Sequence, residues 1–395
     1  MVLCFFDTPV SRQKMLPLTY TRPVADLRVG VLKIREKWEK ELGAQTSSFR
    51  TADYLSALFQ TPSTKCLTIG GGVLPTRKLV EVLSNLKENE VLTSQGNVVA
   101  GFFAPDETIE VGDRDIRELS EIQEILYPWD IFRQNGEEIR RDFQLLSQGN
   151  TSEKLDDPHT RLYGESIFLE AGATVKAAIL NTESGPIYLG KNSEVQEGAM
   201  IRGPFSLGEG SVVNMGAKIR GDTTVGPYSK VGGEVSNSVI QGYSNKGHDG
   251  FLGNAVLGEW CNLGADSNNS NLKNNYENVK MWDYEAGRFT DTGLQFCGLI
   301  MGDHSKCGIN TMFNTGTSVG VFANIFGEGF PRNIVPSFAW GGASGFSTYQ
   351  TKKAFKTADL VMQRRGKKLT DAHMAVLSHI FELTSASRIW ERSAK

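Results

Sequence analysis

Aliphatic residues recur every six positions through the middle of the chain, first in a long unbroken series and then in two shorter ones. The long series is Leu189, Val195, Ile201, Leu207, Val213, Ile219, Val225 and Val231, and the step returns at Leu257 and Leu263 and again at Met301, Cys307, Phe313, Val319 and Ile325. A helix repeats its apolar stripe about every 3.6 residues and a strand about every two. Short strands joined by tight turns, each placing one aliphatic side chain in a shared interior, fit a period of six. The pattern therefore predicts a hexapeptide-repeat parallel β-helix, and the length of the series disfavours the alternative of an antiparallel sandwich with coincidental spacing.

The flanking regions have different patterns. Before residue 127, VLCFF, KCLTIGGGVL and NVVAGFFA are predicted strands, and GVLKIREKWEKELG and RKLVEVLSNLKENE are predicted helices. This alternation predicts an α/β domain over residues 1–127. A linker over 128–166, the β-helix over 167–345 and a C-terminal tail over 346–395 would follow. Apolar residues at helical spacing predict one or two amphipathic helices in the tail, packed on the β-helix or on a neighbouring subunit.

Composition narrows the class of protein. The 395 residues carry a formal net charge of -3 with 22% charged residues, which favours neither a nucleic-acid partner nor a membrane surface. No apolar run approaches the ~18 residues of a membrane span. The apolar start MVLCFFDTPV is predicted to be a buried strand rather than a signal peptide. The five cysteines form no CxxC pair, so we expect reduced core thiols in a cytoplasmic protein, without a zinc site or disulfide framework.

Two stretches interrupt the six-residue step. The first runs from Gly242 to Gly253 and reads GYSNKGHDGFLG, and the second is an insertion over residues 268–297. An insertion of this length in a compact repeat is predicted to be a loop or hairpin arm held by something outside its own coil. Packing against a neighbouring subunit is the simplest interpretation.

These interruptions carry a family resemblance. GHDGFLG, LGEWCNLGADSNNSNLKNNYENVK and GLIMGDHSKCGIN together resemble the acetyltransferase half of bifunctional sugar-1-phosphate enzymes, in order and in spacing. Those enzymes acetylate glucosamine-1-phosphate and then join the product to a nucleotide. The resemblance implies a left-handed β-helix, acetyl-CoA as cosubstrate, and a homotrimer with active sites between subunits.

The resemblance assigns roles to particular residues. His248 matches the general base that deprotonates the sugar 2-amino group, and a histidine can take that proton near neutral pH. Asn262 matches an asparagine that contacts the amino sugar. Ala265 lies where a backbone N–H helps to bind the tetrahedral oxyanion.

Three further positions are matched to sugar-phosphate binding. Phe251 stands where a tyrosine is usual, which removes one hydroxyl from the expected site. Lys273 aligns with a basic residue and could meet the phosphate as a point charge, although a solvated loop lysine is an equal alternative. Lys246 is a weaker phosphate candidate. The remaining histidines are predicted to be structural or surface residues: His159, His304, His373 and His379.

The N-terminal region also carries a resemblance. MLPLTYTRPVADLRVGVLKIREKWE resembles the signature loop of sugar nucleotidylyltransferases. It resembles more closely the corresponding segment of a Bacteroidetes-type family of nucleotidylyltransferases, which is usually fused to the same acetyltransferase β-helix. YPWDIF resembles the segment that joins the two halves. The sequence departs from the pattern in three places. FFDTPVSRQK replaces the glycine-rich turn that cradles a triphosphate, Val24 replaces the lysine after the TRP motif, and GGGV at 70–73 replaces a magnesium-binding aspartate.

Other residues could supply the missing chemistry. Positive charge for phosphoryl transfer could come from Arg12, Arg22, Arg28 and Lys37. Asp7 is a possible ligand for Mg²⁺. The alternative is that Arg22, Arg28 and Glu36 form an internal ion-pair network with no role in catalysis.

The leading functional hypothesis is a bifunctional transferase that makes UDP-N-acetylglucosamine from glucosamine-1-phosphate, acetyl-CoA and UTP. Two related alternatives are a nucleotidyltransferase with a regulatory or oligomerising β-helix, and an acetyltransferase with a degenerate N-terminal domain. A metal-dependent enzyme resembling the γ-type carbonic anhydrases would need three converging histidines, whereas the repeat offers only His248 and His304. A non-enzymatic scaffold is the last alternative.

Overall fold

The computed structural model describes residues 2–394, which divide into two compact units. The first unit contains the residues up to 127 except for the segments 16–20 and 28–31. The second contains those two segments and the chain from residue 128 onward. Over the same described residues, no helix combines the length and the apolarity needed to cross a membrane.

The first unit is an α/β sheet with short helices. Its elements are β1 (Val2–Phe6), α1 (Pro9–Lys14), α2 (Ile34–Glu41), β2 (Thr46–Arg50), β3 (Cys66–Gly70), α3 (Arg77–Ser84), β4 (Glu90–Ser94), β5 (Asn97–Phe103) and β6 (Asp115–Glu118), with 3₁₀ turns at Val24–Asp26 and Asp53–Leu55. The strand order is β2-β1-β3-β5-β4-β6, and β1 runs parallel to both β2 and β3. The predicted α/β fold of this region is confirmed.

Local sequence explains how these elements begin and pack. The side chain of Thr8 caps α1 by accepting a hydrogen bond from the Ser11 backbone N–H at 3.0 Å. In α2, Trp38 is fully buried, and its indole Nε1 donates to the Val73 carbonyl at 2.8 Å. A buried indole needs such a partner, so this bond fixes α2 against the end of β3.

The second unit begins with a long helix and continues as stacked coils of short strands. In chain order its elements up to the insertion are α4 (Pro128–Ser147), β7 (Arg161–Tyr163), β8 (Ile167–Leu169), β9 (Thr174–Val175), β10 (Ile179–Asn181), β11 (Ile187–Leu189), β12 (Glu194–Val195), β13 (Met200–Arg202), β14 (Phe205–Leu207), β15 (Val212–Val213), β16 (Lys218–Ile219), β17 (Thr223–Val225), β18 (Lys230–Val231), β19 (Glu234–Ser236), β20 (Val239–Gly242), β21 (Asn245–Lys246), β22 (Phe251–Gly253), β23 (Val256–Glu259) and β24 (Asn262–Leu263).

The insertion and the last coils complete this unit. Their elements are β25 (Asn268–Asn269), β26 (Lys280–Asp283), β27 (Arg288–Asp291), β28 (Leu299–Met301), β29 (Lys306–Cys307), β30 (Met312–Phe313), β31 (Thr317–Val319), β32 (Asn324–Ile325), β33 (Ile334–Val335), β34 (Ala339–Gly342), β35 (Gly345–Thr348), α5 (Thr351–Gln363) and α6 (Asp371–Leu383), with 3₁₀ turns at Leu18–Tyr20, Ser385–Ser387 and Ile389–Ala394.

Successive strands fall on three faces of one left-handed parallel β-helix. The first face contains β7, β10, β13, β16, β19 and β22. The second contains β8, β11, β14, β17, β20, β23, β28, β31 and β33. The third contains β9, β12, β15, β18, β21, β24, β29, β32 and β34, with β35 pairing antiparallel at its end.

The predicted six-residue series form the interior of this solenoid. Every residue of the three series is at most 5% exposed, and all belong to one continuous apolar core. The core also takes in Leu169 and Val175 before the first series and Val335 after the last. The prediction of a hexapeptide-repeat β-helix is therefore confirmed, and the solenoid extends beyond residues 189–325 in both directions.

Helix α4 occupies the first half of the region predicted as a linker. It is fixed by its polar side chains: Asn135 donates through Nδ2 to the Asp222 carbonyl at 2.8 Å, and its Oδ1 accepts from the Gly30 N–H at 2.7 Å. Close approach is possible because residue 136 is glycine, where a Cβ atom would lie 1.9 Å from Asp222 Oδ1. The helix is thus part of the β-helix unit rather than a free connection.

The insertion forms an antiparallel hairpin, β26–β27, that packs partly on its own chain. Val279 and Met281 are almost fully buried, and the Tyr284 hydroxyl lies 3.1 Å from Ser318 Oγ. A neighbouring subunit is therefore not needed to cover these residues. Tyr276 remains 65% exposed and Phe296 47% exposed on the same insertion.

The predicted C-terminal helices are present as α5 and α6. Phe355 of α5 packs against Phe322, with ring centroids 5.9 Å apart, and Phe381 of α6 meets Phe338 edge-on at 5.0 Å. The tail therefore covers apolar side chains at the last coils, as a cap must.

An aromatic column runs along the corner between the second and third faces. Its members occupy equivalent turn positions with φ between 52° and 62°, and they are Tyr228, Tyr243, Trp260, His304, Phe322 and Phe338. A left-handed backbone costs a non-glycine residue about 1–2 kcal/mol. Stacking on neighbours above and below, together with burial of the rings, offsets this cost.

Replacing Trp260 by asparagine separates these two effects. Asparagine relieves the backbone strain but removes the ring that lies 4.2 Å from Tyr243 and 6.3 Å from His304. We expect a loss of about 2–4 kcal/mol in the free energy of unfolding, measured by chemical denaturation. Tyr228→Asn, at the end of the column, should lose less. A neutral or stabilising Trp260→Asn would show that strain, not stacking, dominates.

Candidate functional site

His248 lies in the turn that joins β21 on the third face to β22 on the first. Its side chain is exposed, and it makes no hydrogen bond or ion pair with another residue between 2 and 394. The turn itself is well fixed: the Asp249 carbonyl accepts from the Asp266 N–H at 3.1 Å, and the Gly247 carbonyl accepts from Asn214 Nδ2 at 2.7 Å. The chain therefore presents an uncommitted imidazole from a rigid corner.

Ala265 occupies the same corner one coil further on. Asn245 pairs with Asn262, and Asp249 is bonded to Asp266, so the two turns run in register seventeen residues apart and His248 is matched with Ala265. Neighbouring coils of a parallel sheet are about 4.8 Å apart. The Ala265 N–H donates to no other residue of the described chain. An imidazole and an available backbone donor thus lie on adjacent turns.

Asn262 lies on the third face beside this corner. Its backbone N–H donates to the Ser305 carbonyl at 3.1 Å, while its side chain is half-buried. The neighbouring Asn245 has a buried Oδ1 without a hydrogen-bond partner among the described residues. The pair places two amides next to the turn that carries His248, and the sequence pattern had singled out only Asn262.

Lys246 is placed differently from the prediction. Its side chain occupies an inward position of the third face, and its Nζ donates to the carbonyls of Gly232 at 3.1 Å and Asp249 at 3.2 Å, and to that of His248. Burial lowers the pKa of Lys246 to about 8, and the nearby Asp249 carboxylate opposes this shift. The three N–H donors of Lys246 are thus directed to backbone carbonyls inside the coil, and not outward as a phosphate ligand requires.

Phe251 and Lys273 lie on the two segments that follow the turn. The Phe251 N–H donates to Asn268 Oδ1 at 2.8 Å, and its ring folds over Gly253, where a Cβ atom would lie 2.4 Å away. Lys273 is part of the insertion, and its Nζ donates to the Asn278 carbonyl at 2.9 Å. It lines a groove with Ser270, Leu272, Asn274, Asn275, Asn314 and Thr315. Across the described part of the chain, Lys273 makes no contact with His248.

A second groove on the first face contains cations that were not predicted from the sequence. Arg202, Lys218 and Arg220 line it, and Arg220 pairs with Glu234 at 3.4 Å. Glu234 is the register partner of Phe251, so the groove continues the sheet that carries Phe251. The sequence could have indicated this groove, because Arg202 and Arg220 are eighteen residues apart, which is the length of one coil, and both occupy outward positions.

In the first unit, the predicted metal ligand Asp7 lies at the carboxyl ends of the parallel strands. This edge is the usual ligand-binding edge of an open α/β sheet. The Asp7 carboxylate accepts hydrogen bonds from Thr51 Oγ1 at 2.7 Å and from the Val24 N–H at 3.3 Å, and Arg12 Nη1 lies 3.5 Å away. Burial raises the pKa of Asp7, and Arg12 and Thr51 oppose that shift. The carboxylate is 1% exposed, so its lone pairs are committed within the fold.

The glycine triplet after β3 is explained by the same cluster. A Cβ atom on Gly71 would lie 2.4 Å from Asp7 Oδ1, and one on Gly72 would lie 2.5 Å from the Ile125 carbonyl. These glycines permit close packing of the protein on itself. No group of three or more His, Cys, Asp or Glu in the described ranges is arranged to hold a metal ion within one chain. Asp7, the predicted ligand for Mg²⁺, is thus held by Thr51, Val24 and Arg12 of its own unit.

The remaining predicted cations are bonded to different partners. Arg12 donates through Nη2 to the Tyr54 hydroxyl at 2.9 Å. Arg28 belongs to the second unit, where Gln241 accepts from its N–H at 2.7 Å. Lys37 is buried in α2. Within the first unit Arg12 is thus bonded to Tyr54 and Asp7, and within the second Arg28 is bonded to Gln241.

An internal ion-pair network does exist: it is centred on Asp26, includes Arg22, and reaches Glu36 through Arg35. Asp26 meets Lys33 at 2.7 Å, Arg35 at 2.9 Å and Arg22 at 4.0 Å. Burial by itself would raise the pKa of Asp26, but the three cations outweigh it and hold the pKa at about 2. Much of the TRPVADLR segment thus stabilises the fold.

The other histidines have structural surroundings. His304 is stacked between Trp260 and Phe322 at the corner between the second and third faces, a different corner from that of His248. His373 contacts the capping hydroxyl of Thr370, with Nδ1 to Oγ1 at 2.6 Å. His159 is exposed. These positions do not support a shared metal site within one chain.

Comparison with known proteins shows which proteins parts of this chain are similar to. Residues 3–151 match the family described as sugar nucleotidyl transferase. A bifunctional sugar-1-phosphate nucleotidylyltransferase/acetyltransferase from Sulfurisphaera tokodaii is 31% identical over 100 residues, which are 25% of this chain and 24% of that protein. The bifunctional protein GlmU from Methanocaldococcus jannaschii is 32% identical over 87 residues, which are 22% of this chain and 21% of that protein.

The matches thus span about a quarter of the length of these relatives, and they support an enzyme of the transferase class. The predicted Bacteroidetes-type subfamily is not established by them. Among solved structures, an Arabidopsis UDP-N-acetylglucosamine acyltransferase aligns with 58% of this chain and 93% of its own, at 13% identity and a TM-score of 0.25.

The Asp26 network makes stability depend on pH in a defined direction. Because the folded-state pKa of Asp26 is lowered, its contribution is present above about pH 4 and is lost as the pH falls towards 2. We expect the pH-dependent part to be about 2 kcal/mol. The free energy of unfolding of Asp26→Asn should therefore lie below that of wild type at neutral pH, and this difference should shrink as the pH falls towards 2, measured by urea denaturation at several pH values. The exposed Asp53→Asn is the control. A difference between Asp26→Asn and wild type that does not change with pH would show that the charge of Asp26 is not what stabilises the fold.

Proposed function

We propose that the β-helix unit transfers an acetyl group from acetyl-CoA to the amino group of a hexosamine 1-phosphate, with glucosamine-1-phosphate as the substrate. The observation that carries this proposal is the pairing of His248 with the available N–H of Ala265 on adjacent turns. Acyl transfer to an amine needs a base for the amine proton and a donor for the oxyanion. Both are present at one corner, beside the amide of Asn262.

The proposed reaction uses these groups in one sequence. The His248 imidazole accepts a proton from the sugar amine, whose nitrogen attacks the thioester carbonyl and forms the C–N bond. The Ala265 N–H donates to the oxygen that becomes negatively charged. Collapse of the tetrahedral intermediate breaks the C–S bond and releases coenzyme A. Asn262 orients the amino sugar in this scheme.

The sugar phosphate needs positive charge near the same corner. Arg202, Lys218 and Arg220 line a groove on the face that carries Phe251, and they offer more cations than Lys273 alone. We assign phosphate binding to this groove, with Lys273 from a neighbouring subunit as an additional ligand if the protein forms the homotrimer that the resemblance implies. Phe251 would contact the sugar ring through its apolar face.

Nucleotidyl transfer is the second half of the proposal. The match of residues 3–151 to sugar nucleotidyl transferases supports nucleotidyl transfer to a sugar phosphate. UTP is the proposed nucleotide, and UDP-N-acetylglucosamine and pyrophosphate are the proposed products. A cytoplasmic location is part of the same proposal. Asp7 is assigned no role as a ligand for Mg²⁺, because its carboxylate is already bonded within the first unit.

A second candidate is an acetyltransferase whose first unit has lost nucleotidyl transfer. The closed polar cluster around Asp7, which Arg12 and Thr51 complete within the first unit, favours it.

The acetyltransferase proposal predicts the behaviour of His248→Ala. With glucosamine-1-phosphate and acetyl-CoA, thiol release should fall by about 10²–10⁴-fold in kcat/KM, because the base is lost. Since the imidazole makes no bond within the described chain, the melting temperature should not change. His159→Ala is the control, as it is equally exposed and far from the repeat corner in sequence. An unchanged rate in His248→Ala would overturn the assignment of the base.

Pyrophosphate release separates the two candidates. Wild-type protein supplied with N-acetylglucosamine-1-phosphate, UTP and Mg²⁺ should release pyrophosphate if the enzyme is bifunctional. Leaving out each reagent in turn is the control. Acetyl transfer without any release of pyrophosphate would support the second candidate.

A further inference from the structure

A lysine stands where the repeat calls for an aliphatic residue. In the third face, Lys246 is the register partner of Val231, and the following coil has Leu263 at the equivalent position. Lys246 is 1% exposed, so its four-carbon stem continues the interior stack. Burying an ammonium group costs several kcal/mol unless its hydrogens are well bonded. An aliphatic residue would satisfy the stack without that cost.

The ammonium group is bonded only to backbone. Its acceptors are the carbonyls of Gly232, His248 and Asp249, which match its three hydrogens, and it forms no ion pair with another residue that the structure describes. Two of these carbonyls belong to the turn that carries the imidazole. The lysine therefore ties the His248 turn to the interior of the previous coil.

Other hydrogen bonds fix the two ends of this turn, and Lys246 is the residue that bonds to its centre. Asn214 binds the Gly247 carbonyl, and the Asp266 N–H binds the Asp249 carbonyl. The His248 carbonyl accepts from Lys246 and from no other group in the residues described. Removing the ammonium would leave that carbonyl without its hydrogen-bond partner within the chain, which favours a rearrangement of the turn.

We propose that Lys246 is a positioning residue: it fixes the backbone of His248 from inside the coil and so aims the imidazole at the acceptor amine. The inference rests on the proposed function in so far as His248 is the base. In this proposal Lys246 acts through the carbonyl groups of Gly232, His248 and Asp249, and does not itself contact either substrate. Small errors in the placement of a base can cost about 10²-fold in rate, so the turn has a reason to be rigid.

Lys246→Met tests this role, because methionine keeps an unbranched apolar stem and removes every donor. We expect kcat for acetyl transfer to fall about 10–100-fold while KM for both substrates changes less than about threefold. Hydrogen exchange of the amides bonded to the turn and its neighbours, Glu234, Phe251 and Asp266, should become at least about tenfold faster. Val195→Ala, three coils away in the same interior column, is the control for simple loss of packing.

The results distinguish failure of the proposed role of Lys246 from failure of the proposed acetyl transfer. Wild-type kcat together with wild-type exchange in Lys246→Met would overturn the proposal, as would equal losses of kcat in Val195→Ala. If Lys246→Met does not fold, Lys246→Gln keeps two donors and should show an intermediate effect in both measurements. If wild-type protein transfers no acetyl group, the proposed function fails, whereas the exchange measurement still decides whether Lys246 holds the turn.

Discussion

The stacking of inward side chains between successive coils is the constraint on which the second unit depends. Each coil places an aliphatic residue above its equivalent in the previous coil, and backbone hydrogen bonds keep the two in register. Register then determines which corner residues become neighbours. His248 and Ala265 are seventeen positions apart in sequence but adjacent in space only because the coils between them close without slipping. The proposed chemistry is thus a consequence of the packing of the core.

The sequence predicted the features that repeat and missed those that do not. The six-residue step is visible because burial imposes it at every coil, so residues such as Leu207 and Val225 were assigned to the interior correctly. Helix α4 was not predicted, because it lies between the strand–helix alternation of the first unit and the six-residue step of the second. Its residues Ile131 and Ile139 are nevertheless fully buried. The bond between Arg28 and Gln241 joins residues 213 positions apart, which no local pattern can indicate.

Candidate site residues show the same division. His248, Asn262 and Ala265 were proposed from a family resemblance, and the register brings their turns together. Lys246 was predicted to be a weaker candidate for phosphate binding, and its inward direction follows only from the pairing with Val231. In the first unit, polar residues around Asp7 and Asp26 resemble a catalytic set in sequence, yet their partners are mainly one another. Buried ion pairs and active sites use the same residue types, and only contacts distinguish them.

We propose that the corner carrying His248 binds an amino sugar phosphate for acylation. A structure of the protein with glucosamine-1-phosphate bound would show whether it does. We expect the sugar nitrogen to lie within about 2.6–3.2 Å of the His248 imidazole, the distance of a proton transfer. The phosphate should lie among the cations of the Arg202–Arg220 groove or near Lys273. A sugar bound away from His248, with its amine facing another group, would overturn the proposed role of this corner.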